Sequence, residues 1–232
     1  MTVSVTLAQR AAECLLAAAF VQQALEHLAS AHSERWWWLA RIPFALLLIG
    51  GVAPLTCLTG LVLLALAALL RYDGPYNGGS DRMGYLILFS LWLARLAPSA
   101  FWREVALGYL ATQVCLSYAL SGWVKLVNPD WRSGLALRDV FAWSAYPVSA
   151  EVRRWADWPR LLWMMAWAVL LFELMFPLAL LRPHWLPCAL VIAATLHVAN
   201  AWLFGLNRFV WVWLAGYPPL LWLQGCLLGA LV

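Results

Sequence analysis

Lys125 follows a long apolar run in the stretch YALSGWVKLVNPDW at 118–131. Two interpretations of this ammonium are open. In the first, the stem lies in lipid and the charge reaches the headgroups, which the position alone favours. In the second, the lysine is partly desolvated, reaches a ligand and acts as a general base.

Glu173 lies in the middle of another apolar run, LLFELMFPLALL, with Pro177 one helical turn later. A carboxylate in such a place needs a proton or a partner. We therefore predict that Glu173 faces the interior of a helix bundle and has a polar neighbour from another helix. A purely structural pairing and a role in a site are equally consistent with the sequence.

His197, Asn200 and Phe204 recur at i, i+3 and i+7 in TLHVANAWLFGLNRF, so they share one helical face. A single histidine inside a membrane is usually satisfied by a neighbouring carbonyl. The aligned asparagine favours a small polar pocket here.

The elements that must position these side chains are apolar helices. Of the 232 residues, 65% are hydrophobic and 11% are charged, far from the balance of a soluble domain. The sequence predicts an all-α, polytopic transmembrane helical bundle with about eight spans, many of them bounded by the 17 tryptophans. The approximate spans are 8–30, 36–51, 54–71, 83–98, 103–126, 160–182, 184–205 and 208–231.

Two features of this organisation are less regular. The second and third spans share the turn GGVAP at 50–54, so they are either two short helices or one long kinked helix. The only long loop, 127–159, carries several aromatic residues, and we expect it to fold as a cap over one face. We expect residues 1–232 to form a single domain.

Several classes of partner are disfavoured by composition. The formal charge of +4 is modest and the basic residues are scattered, so nucleic acid is not an expected partner. The five cysteines lie in or beside apolar spans without a CxxC pair, which predicts neither a disulfide framework nor a metal site. Membrane lipid is an expected partner.

Four segments, in this order, resemble segments of the vitamin K-dependent gamma-carboxylase family and its bacterial relatives, the HTTM proteins. They are YNGGSDRMGYL at 76–86, YALSGWVKLVNPDWRSG at 118–134, FELMFPLAL at 172–180 and LHVANAWLFGLNRFVW at 196–211. The second has the pattern Gly-x-x-Lys-Leu followed by Trp and Gly, and the fourth has His-x-x-Asn followed by Leu-Phe. The resemblance implies a multi-pass protein of a bacterial inner membrane.

In the gamma-carboxylases, the matching lysine is understood to deprotonate vitamin K hydroquinone, whose oxygenation then yields a base that takes a glutamate γ proton. The resemblance therefore implies Lys125 and His197 as catalytic residues and a reduced, vitamin K-like quinone as cofactor, with no metal. The residues expected around the quinone are Asn200, Glu173, Trp131, Asn77, Asp81 and Phe204.

The chain also departs from the carboxylase pattern. Where the carboxylases carry a histidine in the Asn-containing segment, this sequence has Gly78 and Gly79 followed by Asp81 and Arg82. The carboxylases also have a large C-terminal domain that binds the protein substrate, and this sequence ends at Val232. We therefore expect a membrane core with a quinone or lipid site rather than carboxylation of a docked protein.

Two functional hypotheses remain after these observations. One is a membrane enzyme with Lys125 as general base in carboxylase-like or epoxidase-like chemistry. The other is a non-catalytic membrane partner that anchors or matures a separate protein or peptide. A transporter is disfavoured because neither an inverted repeat nor paired broken helices can be recognised.

Overall fold

The computed structural model describes residues 3–29, 35–71 and 78–230, and all regular structure in these ranges is helical. The long helices are α1 (Val5–Ala29), α2 (Arg35–Ile49), α3 (Pro54–Arg71), α4 (Gly78–Leu96), α5 (Ala100–Val127), α9 (Pro159–Met175), α10 (Trp185–Phe204) and α11 (Asn207–Gly229). The short helices are α6 (Pro129–Ser133), α7 (Leu135–Trp143) and α8 (Ala150–Arg153), and 3₁₀ turns cover Arg154–Asp157 and Phe176–Leu181. The all-helical prediction is confirmed for the described residues.

Each of the eight predicted apolar spans corresponds to a long helix of the described residues. The largest differences are at α9, which ends at Met175 rather than 182 because a 3₁₀ turn follows, and at α4, which begins at Gly78 rather than 83. Three helical stretches are long and apolar enough to cross a membrane: Ala100–Val127, Pro159–Leu181 and Trp185–Phe204. Two shorter apolar helices, Trp36–Ile49 and Pro54–Leu70, lie in α2 and α3. The expected number of eight spans therefore stays a prediction, whereas membrane-length helices are present.

The turn at 50–53 separates α2 from α3, so this region forms two short helices. Gly51 and Ala53 have φ angles of 74° and 42°, and this left-handed backbone ends the helical ladder. Arg10 of α1 donates hydrogen bonds to the carbonyls of Leu48 (2.6 Å) and Ile49, which α2 leaves unsatisfied at its end.

The chain divides into two compact units. Unit 1 comprises Met1–Thr112 with Arg208–Cys226, and unit 2 comprises Gln113–Asn207 with Leu227–Val232. In unit 1, α1 packs against α2 and α4. Helix α3 also packs against α2 and α4. One apolar cluster joins Ala24, Trp37, Trp38 and Ala68.

Unit 2 contains the segment 127–159, which the sequence predicted as one long loop. It is built mainly of short helices, because Pro129, Gly134 and Pro147 interrupt any longer helix. Gly134 has φ 82°, and a Cβ atom there would lie 3.0 Å from Trp163 Cα of α9.

Three contacts hold this segment against α9 and α10. Trp167 Nε1 donates to the Arg132 carbonyl (3.0 Å), and Val148 N–H donates to the Leu203 carbonyl (3.1 Å). Beneath them lies an apolar cluster of buried residues: Phe141, Val152, Leu162, Leu203 and Phe204. The segment therefore packs against α9 and α10 within unit 2.

Candidate functional site

Helices α5 and α9 lie close together at Gly122. A Cβ atom on Gly122 would lie 2.4 Å from the backbone nitrogen of Leu174 and 2.8 Å from its Cα. Only glycine allows backbones this close, as is common where helices pack in membranes. About one turn after Gly122, Lys125 of α5 therefore faces Glu173, the residue before Leu174.

At that point Lys125 Nζ lies 2.6 Å from Glu173 Oε2 and donates a second hydrogen bond to Ser121 Oγ, also 2.6 Å. The exposed fractions of the two side chains are 15% for Lys125 and 16% for Glu173. The lysine is therefore held by protein partners in unit 2. The prediction that Glu173 has a polar neighbour from another helix is confirmed.

Trp131 of α6 completes this group. The centre of its ring lies 5.1 Å from Lys125 Nζ, within the range of a cation–π contact. The ammonium thus meets a carboxylate, a hydroxyl and an aromatic face, all from unit 2. We call Lys125, Glu173, Ser121 and Trp131 the lysine site.

A second polar contact lies two turns earlier on the same face of α5. The Tyr118 hydroxyl and His197 Nε2 of α10 are 2.9 Å apart, and both side chains are buried. Phe176 stacks on the Tyr118 ring at a centroid distance of 4.1 Å. Because Tyr118, Ser121 and Lys125 follow i, i+3, i+7 spacing, one stripe of α5 faces both α10 and α9.

Asn200 and Phe204 share the α10 face of His197 but have different surroundings. Asn200 is half-buried, and its carbonyl accepts hydrogen bonds from Gly205 and Leu206 where the helix ends. Phe204 packs against Phe141 with ring centroids 4.9 Å apart, inside the apolar cluster of unit 2. The structure therefore pairs His197 with Tyr118 and gives Phe204 a packing role.

An open apolar groove of about 310 Å³ runs between α9 and α10. Its walls include Phe172, Met175 and Phe176 from one side and Trp185 and Ile192 from the other. Phe172 and Phe176 also contact the Tyr118 ring. The groove is therefore separated from the Tyr118–His197 contact by a single layer of aromatic side chains.

Asp81 lies in unit 1, in a different polar cluster. Its Oδ1 accepts from Gln23 Nε2 (2.9 Å) and lies 3.9 Å from Arg208 Nη1. Arg208 also donates to Glu26 Oε2 (2.8 Å), and Gln23 accepts from the buried Arg41 (3.0 Å). Asn77, the other residue expected in this region, lies outside the described residues.

Sequence reasoning did not single out three residues that matter for these contacts. Tyr118 and Ser121 were visible as polar residues in the same span as Lys125, but nothing marked them as partners. Arg41 is only 1% exposed, and its place inside an apolar run was the signal that could have identified it. No group of three or more His, Cys, Asp or Glu suited to a metal occurs in the part of the chain described.

Apolar helices of membrane length, with a charge pair between two of them, define an integral membrane protein. The chain belongs to the HTTM domain family, which matches residues 95–222, more than half of the sequence. The matched range contains Lys125, Glu173 and His197, whereas the segment 76–86 lies before it. No curated protein and no solved structure matches the chain.

Proposed function

We propose that this membrane protein takes a proton from a hydroxyl group of a lipid-soluble ligand, such as a reduced quinone, at the lysine site. The observation that carries the proposal is the 2.6 Å contact of Lys125 with Glu173 inside apolar helices. A buried ion pair contributes little net stability compared with well-packed apolar residues. An ionisable pair between two apolar helices is therefore a candidate for function.

The side chains of the lysine site suit such a ligand. Trp131 offers a flat aromatic face, and Ser121 offers a hydroxyl next to the charges. Elsewhere in unit 2, the apolar groove along α9 and α10, which no residue of the lysine site lines, has room for a hydrocarbon chain. Lys125 and Glu173 each keep about 15% exposure, so a ligand atom can reach them.

Within this proposal the two charged groups have separate tasks. Lys125 Nζ donates hydrogen bonds to Glu173 Oε2 and Ser121 Oγ, so these two partners fix the position of its nitrogen. Glu173 accepts the ligand's proton, and Lys125 stabilises the negative charge left on the ligand oxygen. A reduced quinone would supply an acidic aromatic hydroxyl and the capacity for oxygen-dependent chemistry.

The sequence resemblance supports the lysine site as the place of this chemistry. It differs in the base, because in the carboxylases the matching lysine takes the proton. The segment around Lys125 resembles the carboxylase signature whose lysine acts on vitamin K hydroquinone, and the HTTM match includes that segment. Carboxylase-like or epoxidase-like chemistry is the corresponding reaction class. We place the protein, as a multi-pass protein, in a bacterial inner membrane.

The test uses the full chain in lipid nanodiscs with a prenylated naphthohydroquinone as probe. Binding is followed by quenching of tryptophan fluorescence, and turnover by oxygen-dependent loss of the hydroquinone. Glu173→Gln removes the proton acceptor but keeps the shape, so binding should persist while turnover falls by at least about a hundredfold. Glu151→Gln is the control, because this carboxylate is largely exposed and lies outside the lysine site, and it should retain turnover.

Unchanged turnover in a well-folded Glu173→Gln variant would contradict the proposal. Loss of both binding and thermal stability would point to a structural pair instead. A Lys125→Arg variant separates these outcomes further, because arginine keeps the charge and the ion pair. Lys125→Arg should therefore keep the thermal stability of the wild type. The turnover that it retains measures how much of the activity needs a positive charge rather than lysine itself.

A second candidate, a non-catalytic partner of a separate protein or peptide, is favoured by one surface. The segment 127–159 exposes Trp143 (80%), Trp158 (59%) and Tyr146 (50%). Exposed aromatic groups of this kind also occur where a protein meets another chain. If variants of the lysine site keep all function while Trp143→Ser abolishes it, this candidate is preferred.

A further inference from the structure

A second open groove lies in unit 1, between the end of α4 and the beginning of α5. It has a volume of about 410 Å³ and mostly apolar walls. The side chains that form its two walls are Ser90, Leu93 and Leu96 of α4, and Trp102, Val105 and Tyr109 of α5. The groove is separate from the lysine site, which belongs to unit 2.

The shape of this groove follows from the two helices that form it. The α5 residues from Trp102 to Tyr109 span about 10 Å along the helix axis, and the α4 residues span a similar length. The groove therefore runs parallel to α5, which is itself a candidate membrane span. A narrow apolar channel in that direction fits the upper part of a lipid acyl chain.

The polar end of the groove is marked by the first turn of α5. Phe101 and Trp102 are 64% and 53% exposed there, as aromatic residues at a membrane interface usually are. Arg103, in the same turn, is three residues from Ala106, which lines the groove. No carboxylate of the described residues forms an ion pair with Arg103.

Arg95, the other cation at this end of α4, is already neutralised. Its Nε and Nη2 each lie 2.7 Å from an oxygen of Glu13. Of these two cations, Arg103 is the one without an ion pair among the described residues, so its charge can pair with a ligand. Its natural partner at a membrane interface is a phosphate.

We infer that this groove binds an anionic phospholipid, with one acyl chain between α4 and α5 and the phosphate on Arg103. The apolar walls select a hydrocarbon chain, and the unpaired guanidinium selects a negative headgroup over a zwitterionic one. The site does not depend on the function proposed for the lysine site.

Native mass spectrometry of the full chain, purified in detergent and then supplied with phosphatidylglycerol or phosphatidylcholine of identical chains, tests this inference. The wild type should retain phosphatidylglycerol about fivefold better, as expected for one interfacial arginine. Arg103→Gln should abolish the preference, whereas Arg82→Gln, which removes an exposed charge elsewhere on α4, should keep it.

Ala106→Trp fills the groove and should reduce retention of both lipids. Leu63→Trp is the control, because Leu63 is 62% exposed on α3 and does not line the groove. Val105→Trp serves in its place if Ala106→Trp does not fold. Retention equal to that of the wild type in a folded groove-filling variant, or an intact lipid preference in Arg103→Gln, would overturn the inference.

Discussion

The Glu13 carboxylate has no exposed surface and is held by several side chains of unit 1. It accepts from Gln9 Nε2 (3.1 Å) and from two nitrogens of Arg95, and Arg10 lies 3.6 Å away. A carboxylate with this many donors is fully compensated. Removing its charge would leave the cationic partner without an anion.

Glu13→Gln should therefore destabilise the protein by about 2 kcal/mol, less than for a fully buried pair because Arg95 is 32% exposed. Thermal unfolding in detergent, followed by tryptophan fluorescence, measures the change. Glu151→Gln is the control: its pair with Arg154 is 3.5 Å long and largely exposed, so the midpoint should not move. Equal midpoints for the two variants would show that Glu13 is not a structural anion.

At this scale the sequence could identify residues that need partners, but not the partners themselves. Lys125 and Glu173 were recognised because ionisable groups are costly in apolar runs. Their contact joins positions 48 residues apart, and Tyr118 and His197 are 79 apart, so both depend on how helices pack. Glu13 and Arg41 obey the same rule and were not singled out.

The close approach of α5 and α9 depends on one glycine. Gly122 leaves room for the Leu174 backbone, which cannot move aside as a flexible side chain could. The next turn of α5 then presents Lys125 to Glu173. The geometry of the lysine site is therefore a consequence of helix packing as well as of the charged side chains.

Gly122→Ala should cost about 2 kcal/mol, because the new methyl group forces the two helices apart. Gly108→Ala on the same helix is the matched control: its nearest neighbour, Trp222 Cζ3, would lie 3.9 Å from the new Cβ. That substitution should be neutral or slightly stabilising, since alanine favours a helix. The thermal unfolding midpoints of the two variants measure the difference. A Gly122→Ala variant that unfolds at the wild-type midpoint would refute this packing.

The segment 127–159 was expected to be an ordered cap, and its short helices were not predicted individually. Helices of four to nine residues carry too little periodicity to be recognised from sequence. In contrast, the long helices were bounded well because Trp, Arg, Gly and Pro flank their apolar runs. The span 160–182 was expected to continue through Pro177, whereas α9 ends at Met175 and a 3₁₀ turn follows it.

Backbone hydrogen exchange should reveal protection within this segment. The amides of Gly134, Arg138, Val148 and Arg153 donate to backbone carbonyls, so they should exchange more slowly than in an unstructured peptide. Mass spectrometry of peptides from 127–159 after brief labelling measures this. Unprotected exchange along the whole segment would contradict its packing on α9 and α10.

For the whole molecule, the described residues contain a long helix at each of the eight predicted apolar spans. Composition made this class predictable, since 65% hydrophobic residues cannot be buried in a soluble domain of this length. Composition does not determine the number of crossings, because α2 and α3 are short and α1, α4 and α11 carry polar residues. Local sequence therefore predicted the positions of the helices in the chain better than it predicted which of them cross the bilayer.

An even number of crossings places both ends of the helical bundle on one side of the membrane. Reporter fusions before Val5 and after Gly229 should therefore give the same topology signal if all eight long helices cross. If only the three most apolar stretches cross, the two fusions would report opposite sides.

The most direct test of the central claim is to replace both charges of the lysine site together. In Lys125→Met/Glu173→Met, apolar side chains of similar length fill the space, so thermal stability should match or exceed that of the wild type. The account predicts that this stable variant no longer consumes the prenylated naphthohydroquinone in nanodiscs. Wild-type consumption by the double variant would contradict it, because the pair would then serve only to join α5 to α9.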